Sequence, residues 1–95
     1  TAIFAANDMS AMGVYQAARQ LGMRIPQDLS VIGFDNLRDS LFLDPPLTTI
    51  DQSIYDMGML ATRLLVNMLH GENPEKKNHV FPTRLVIRDS CCALP

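Results

Sequence analysis

The chain has no tryptophan, two cysteines, two histidines and a net charge of −2, and each shortage removes a class of function. Cys91 and Cys92 are neighbours in sequence, where a disulfide would close a strained ring, so both are expected as free thiols, which points to a reducing, cytoplasmic compartment. His70 and His79 lie at no ligand spacing and two thiols cannot complete a tetrahedral site, so no metal is expected. The densest basic stretch is Lys76-Lys77, far short of the electrostatic footprint that holds nucleic acid, so these residues alone are not expected to bind DNA. No apolar run approaches the roughly 20 residues that span a bilayer, and no secretory leader pattern is present. There is no Gly-rich phosphate loop and no nucleophile elbow, nor a His or Cys in a recognisable catalytic setting. No enzyme and no cofactor is therefore expected.

What is present fits a packed α/β chain. Hydrophobic residues make up 47% and charged residues 19%, a balance that favours a folded core over disorder. Ninety-five residues are few for a sheet with covering helices. The first run, Thr1-Ala2-Ile3-Phe4-Ala5-Ala6, opens as a strand without initiating Met or lead-in, so further sequence is expected upstream. That run reads as a strand buried on both faces, ending at Asn7-Asp8. Ala11, Val14, Tyr15, Ala18 and Leu21 then recur at helical spacing, with Asp8 placed to cap the start and Gly22 to close the end. Met9, Met12 and Ala17 extend the apolar surface round this helix, which implies a second covering partner. Leu29-Ser30-Val31-Ile32-Gly33-Phe34 repeats the first strand's plan and ends in Asp35-Asn36. Strand, helix and strand within 35 residues predict a parallel βαβ unit.

Residues 38–44 are mixed, and Pro45-Pro46 gives a stiff approach to a short strand or crossover at Leu47-Thr48-Thr49-Ile50. Ser53-Ile54-Tyr55-Asp56 has the form of a capping box. Ile54, Met57, Ala61, Leu64, Leu65 and Met68 predict the helix that follows, and it ends before Gly71. Residues 80–88 return to a β pattern interrupted by Pro82, as an edge strand or a bulge would.

Ligands of open parallel sheets bind beyond the carboxyl ends of the strands, which draws attention to Asn7-Asp8 and Asp35-Asn36. A carboxylate accepts two hydroxyl hydrogen bonds and an amide both donates and accepts, so Asp35 with Asn7 suits a polyol, a sugar or a nucleoside, and Phe34 offers a ring face. Position alone favours the plainer role of turn and cap formers for such residues, the role assigned to Asp8. An Asp8–Asp35 pair for metal or acid–base chemistry has nothing further behind it.

Four stretches occur in order: Ala5-Ala6-Asn7-Asp8-Met9-Ser10-Ala11-Met12-Gly13, Ile25-Pro26-Gln27-Asp28-Leu29-Ser30-Val31-Ile32-Gly33-Phe34-Asp35-Asn36, Pro45-Pro46-Leu47-Thr48-Thr49-Ile50-Asp51-Gln52 and Leu85-Val86-Ile87-Arg88-Asp89-Ser90. Together they resemble the lac-repressor (LacI/GalR) family of transcription regulators over nearly the whole chain. The resemblance implies part of a two-subdomain, periplasmic-binding-protein-like fold. Residues 1–46 and 80–95 would lie in the C-terminal subdomain, and residues 47–71 would cross to the N-terminal subdomain and supply a helix there. It places Asn7, Phe34, Asp35 and Gln52 in the effector pocket, reversing the plainer reading of Asn7 and Asp35. The ligand would be a sugar, sugar phosphate or nucleoside. Met12, with Phe42 and Leu43 in the segment 39–43, would fall on a homodimer surface. DNA would be reached only through an N-terminal domain to which nothing in this sequence corresponds. The alternative of the same architecture is a periplasmic sugar-binding protein of a transport system; the Pro-Pro-Leu-Thr-Thr-Ile-Asp-Gln stretch and the free cysteines favour the regulator.

Overall fold

A computed structural model describes residues 1–95. Strand β1 (Ala2–Phe4) leads into helix α1 (Asp8–Gln20) and strand β2 (Ser30–Ile32). A short 3-10 helix (Arg38–Phe42), strand β3 (Thr49–Asp51), helix α2 (Ile54–Leu69) and strand β4 (Arg84–Val86) follow. β1 and β2 pair in parallel, with Ile3 opposite Val31, as the βαβ pattern requires. β3 and β4 form a second, antiparallel pair, with Ile50 opposite Leu85. A parallel bridge between Ile32 and Thr48 joins the two pairs. Beyond it the Gly33 amide donates to the Thr48 carbonyl at 2.9 Å and the Asp35 amide to that of Ile50 at 2.9 Å, so β2's continuation runs beside β3.

The core lies between α1 and β2. Ala11 and Ala18, on one helical stripe with Tyr15, are small enough to bring the helix close to the sheet, and they meet Ala5, Leu29, Val31 and Leu47. Val31 and Leu47 are fully buried, and burial of this kind stabilises by roughly 1.5–3 kcal/mol per large aliphatic side chain. The tail closes on the same place. Ser90, fully buried, accepts from the Thr48 amide at 2.8 Å and donates to the Val31 carbonyl at 2.5 Å.

Several expectations need correction. β1 is exposed throughout, with Phe4 at 67%, because β2 is its one strand partner and no helix covers it. Leu21 sits at the C-cap of α1 and is 74% exposed, one position past the end of the buried stripe. Asp8 does not cap α1; the cap is Asn7, extended at φ −158°, whose Oδ1 accepts from the Ser10 amide at 2.7 Å. No capping box forms at α2, since Ser53 is left-handed at φ 56° and its side chain makes no cap bond. Its amide is taken instead by Asp51 Oδ1 at 2.9 Å. No residue of α2 is buried, and Tyr55, Leu65, Met68 and Leu69 are all exposed. The helix stands off the core, consistent with an elongated body 58 × 23 × 17 Å. No helix is long and apolar enough to cross a membrane.

Candidate functional site

The carboxyl ends of β1 and β2 meet through the backbone, where the Asp8 amide donates to the Phe34 carbonyl at 2.8 Å. Asn7-Asp8 and Phe34-Asp35 are thus neighbours, as the repeated strand plan predicts. Asp8 is wholly buried and ties the surrounding segments together. Its Oδ1 accepts from the Thr49 hydroxyl at 2.6 Å and its Oδ2 from the Leu37 amide at 2.7 Å. One carboxylate therefore joins the start of α1, the loop after β2 and strand β3, and none of it is left for a solute.

Beside this anchor a depression of about 550 Å³ opens, lined chiefly by Asp35, Asn36, Arg38, Asp51, Tyr55 and Asp56. Three non-glycine residues with positive φ border it: Asp35 at 117°, Asn36 at 56° and Ser53 at 56°. Such backbone costs of order 1–3 kcal/mol per residue and concentrates where function needs a fixed geometry. Asp35 accepts a short hydrogen bond from the Gln52 amide group. Asn36 donates through its side chain to Asp51 Oδ2 at 3.3 Å and through its backbone to Thr49 Oγ1 at 3.3 Å. Asp51 also receives Arg84 Nη2 at 3.2 Å. The Ser53 amide, then the Arg84 guanidinium, hold its carboxyl below the usual carboxylate range. The wall is thus rich in acceptors, with one cation, Arg38, and one phenol ring, Tyr55, a set that complements hydroxyl groups.

Of the four residues expected in a ligand pocket, Asp35 lines this depression and Gln52 holds Asp35. Asn7 has an oxygen committed to capping, and Phe34 is half-buried. Neither they nor Gln52 lines the depression. Sequence reasoning missed Arg38, Asp51, Tyr55 and Asp56. Asp51 had a usable signal, an acidic residue at the end of a strand, whereas Arg38, at the start of the 3-10 helix, and Tyr55 and Asp56, in the first turn of α2, meet only through the tertiary fold.

Met12, Phe42 and Leu43, expected at a subunit surface, come together in a separate groove of about 520 Å³ that Tyr15, Gln16 and Asp44 also line. Phe42 is 71% exposed there. The Tyr15 hydroxyl donates to the Pro45 carbonyl at 2.8 Å, fixing the floor. No group of three or more His, Cys, Asp or Glu side chains is placed to hold a metal ion.

A family model described as "periplasmic binding protein-like domain" matches residues 1–91. The transcriptional repressor CytR of Escherichia coli is 41% identical over 95 residues, all of this chain and 28% of that protein. The ribose operon repressor of Halalkalibacterium halodurans is 41% identical over 88 residues, 93% of this chain and 27% of that protein. Among solved structures, a LacI family transcriptional regulator from Enterococcus faecium with bound ribose superposes with a TM-score of 0.94 at 35% identity, covering 100% of this chain and 35% of that one. The lac repressor dimer bound to operator and the anti-inducer ONPF gives 0.84 at 36%, covering 98% and 32%. The chain spans between a quarter and about a third of the length of these proteins.

Proposed function

This chain belongs to the periplasmic binding protein-like domain family of LacI-type transcription regulators, and from that premise we propose that it forms the effector-sensing part of a DNA-binding repressor that answers to a sugar or related small molecule. The single observation that carries the reading is the strained, acceptor-rich turn at Asp35-Asn36, set at the joined carboxyl ends of two parallel strands and braced by Gln52. Ribose is the ligand of the Enterococcus neighbour, and a pentose fits a wall of carboxylates and amides that accept from vicinal hydroxyls. In this reading Asp35 lines the site and Gln52 braces it, and Asn7 and Phe34 belong to its mouth at the strand ends beside the depression. Residues 47–71 cross to a second subdomain whose surface faces it, and residues 1–46 and 80–95 form the first.

The groove of Met12, Phe42 and Leu43 is the homodimer surface in this reading, because Phe42, 71% exposed beside Met12 and Leu43, gains by being covered. DNA is contacted by a separate N-terminal domain. The protein binds and signals without catalysis and acts in the cytoplasm, where its operator would lie. A ligand that prefers one closure of the two subdomains shifts the repressor between states by its difference in affinity, commonly about 1–3 kcal/mol. The transport alternative has less support, since the matched relatives are repressors. In the complete protein, Asp35→Ala is expected to abolish the response of operator binding to the effector while leaving operator affinity in its absence unchanged. An unaltered response in a gel-shift titration would remove Asp35 from the site.

A further inference from the structure

Arg88 lies two residues past β4, outside every stretch that lines the depression, yet its side chain points back under it. Nη2 donates to Asn36 Oδ1 at 2.7 Å, and Nη1 donates to Ser40 Oγ at 2.8 Å and to the Leu47 carbonyl at 2.9 Å. The backbone amide of the same residue is fixed by Thr48 Oγ1 at 2.9 Å. This half-buried guanidinium makes no ion pair; the pairs in the chain are Arg24–Asp28 and Arg84–Asp51. All its side-chain bonds go to neutral acceptors on the segment between β2 and β3, Asn36 and Leu47 towards its ends and Ser40 in the 3-10 helix between them. A planar fork meets three acceptors in fixed directions at once, which a lysine ammonium on a flexible stem does not.

We propose that Arg88 is a positioning residue for the ligand site: it holds the left-handed Asp35-Asn36 turn in its strained conformation, and so keeps Asp35 aimed at the ligand. The argument runs from the strain. Asp35 and Asn36 are consecutive non-glycine residues at φ 117° and 56°, and such backbone persists only where its surroundings over-determine it. The bonds that oppose its relaxation are few. Asp35 and Asn36 are held through their amides by the Ile50 carbonyl and Thr49 Oγ1, both on β3. The Asn36 side chain is gripped from two sides, by Asp51 accepting from Nδ2 and by Arg88 donating to Oδ1. Of the bonds to Asn36 the Arg88 contact is the shortest and, like the Asp51 contact, it is charge-assisted, while Gln52 braces the neighbouring Asp35. The function assigned to the turn rests on the ligand-binding reading above; the clamp itself rests on the geometry alone.

The test uses the complete protein carrying Arg88→Met and Arg88→Lys. Hydrogen exchange without ligand is read at the Asp35, Asn36 and Leu37 amides, and at Ala5 and Ser30, whose amides bond to the Ile32 and Thr1 carbonyls, as controls along the parallel pair. In the Met variant the three turn amides are expected to exchange about tenfold faster or more, the loss of the one charge-assisted bond that reaches the turn from Arg88, while Ala5 and Ser30 stay within about twofold. Lysine restores part of the protection. Turn exchange unchanged in the Met variant, or quickened equally in the controls, overturns the clamp and leaves Arg88 a general structural contact. Calorimetry with D-ribose gives the second readout: affinity falls about tenfold in the Met variant and recovers partly with lysine. A parent that binds no D-ribose counts against the pentose reading, and the exchange data then decide the clamp by themselves. Should the Met variant fail to fold, Asn36→Ala, which keeps a side chain at the positive φ, removes the same contact from the other side together with the Asp51 bond. Combined with Arg88→Lys it is expected to be less than additive at the turn, and full additivity would refute the link.

Discussion

Gly33→Ala is the sharpest perturbation the fold offers. No positive φ explains the glycine at this position; the reason for it is space. An added Cβ would stand 2.2 Å from Asp8 Oδ1 and 2.8 Å from Leu47 Cδ2. Ordinary contact requires a retreat of roughly 1 Å, and neither neighbour is free to make it. Leu47 is fully buried, and Asp8, at 0% exposure, is held by Thr49 at 2.6 Å and by the Leu37 amide at 2.7 Å. Moving the carboxylate breaks one or both of these bonds at about 1.5–3 kcal/mol each, and overpacking adds about 1–3 kcal/mol. The expected loss is therefore about 2.5–9 kcal/mol, a large share of the roughly 5–15 kcal/mol that holds a domain folded. Urea unfolding of the complete protein, followed by circular dichroism, measures it. A loss below about 1 kcal/mol would show that the loop gives way easily and would refute the reasoning. A second arm uses Asp8→Ala as background. With the carboxylate gone, the obstacle is reduced to Leu47, and adding Gly33→Ala should cost less than in the parent. Full additivity would mean that the carboxylate is not what excludes a methyl group from position 33.

The remaining expectations are independent of one another. Ser90→Ala leaves the Thr48 amide without its partner in a buried place and should lower stability by about 1–3 kcal/mol in the same unfolding assay. Tyr15, buried and donating to the Pro45 carbonyl, is pushed up to about 12 mainly by burial. Its phenol should therefore ionise near pH 12 in an ultraviolet titration. Because its folded value lies above its ordinary 10.0, stability should fall as pH rises from about 10 to about 12. Asp28 is held at about 2 by its side-chain and backbone bonds with Arg24, below its ordinary 3.8. Its contribution is present above that ordinary value and fades as pH falls towards 2; a carboxyl NMR titration reads the midpoint, and Arg24→Gln should return it to the ordinary range. Phe42→Asp should turn a dimer into a monomer in sedimentation velocity without unfolding it, and an unchanged mass would remove the Met12–Phe42–Leu43 groove from the subunit contact.

What the sequence by itself determined is the part governed by local period and chain connectivity. An apolar run, a helical stripe at Ala11, Tyr15 and Ala18 and a second apolar run force a parallel pair with a helix between, and the polar residues after each run fall at the same end of that pair. The placing of Asp35 at that end, where it lines the depression, was legible for that reason, and its pocket role, like the grouping of Met12, Phe42 and Leu43 that here line one groove, was implied by family resemblance. Adjacent cap-competent residues such as Asn7 and Asp8 were not separable, because either can end a strand and begin a helix. Only the approach of Thr49 and the Leu37 amide decides that Asp8 is buried while Asn7 caps. The exposure of β1 and α2 was equally out of reach, since an apolar stripe records what a helix or strand can bury and not which surface meets it. Arg88 is the plainest case: it finds its acceptors at Asn36, Ser40 and Leu47, between 41 and 52 positions away along the chain, and hydrogen bonds at that separation exist only once the tertiary structure has formed.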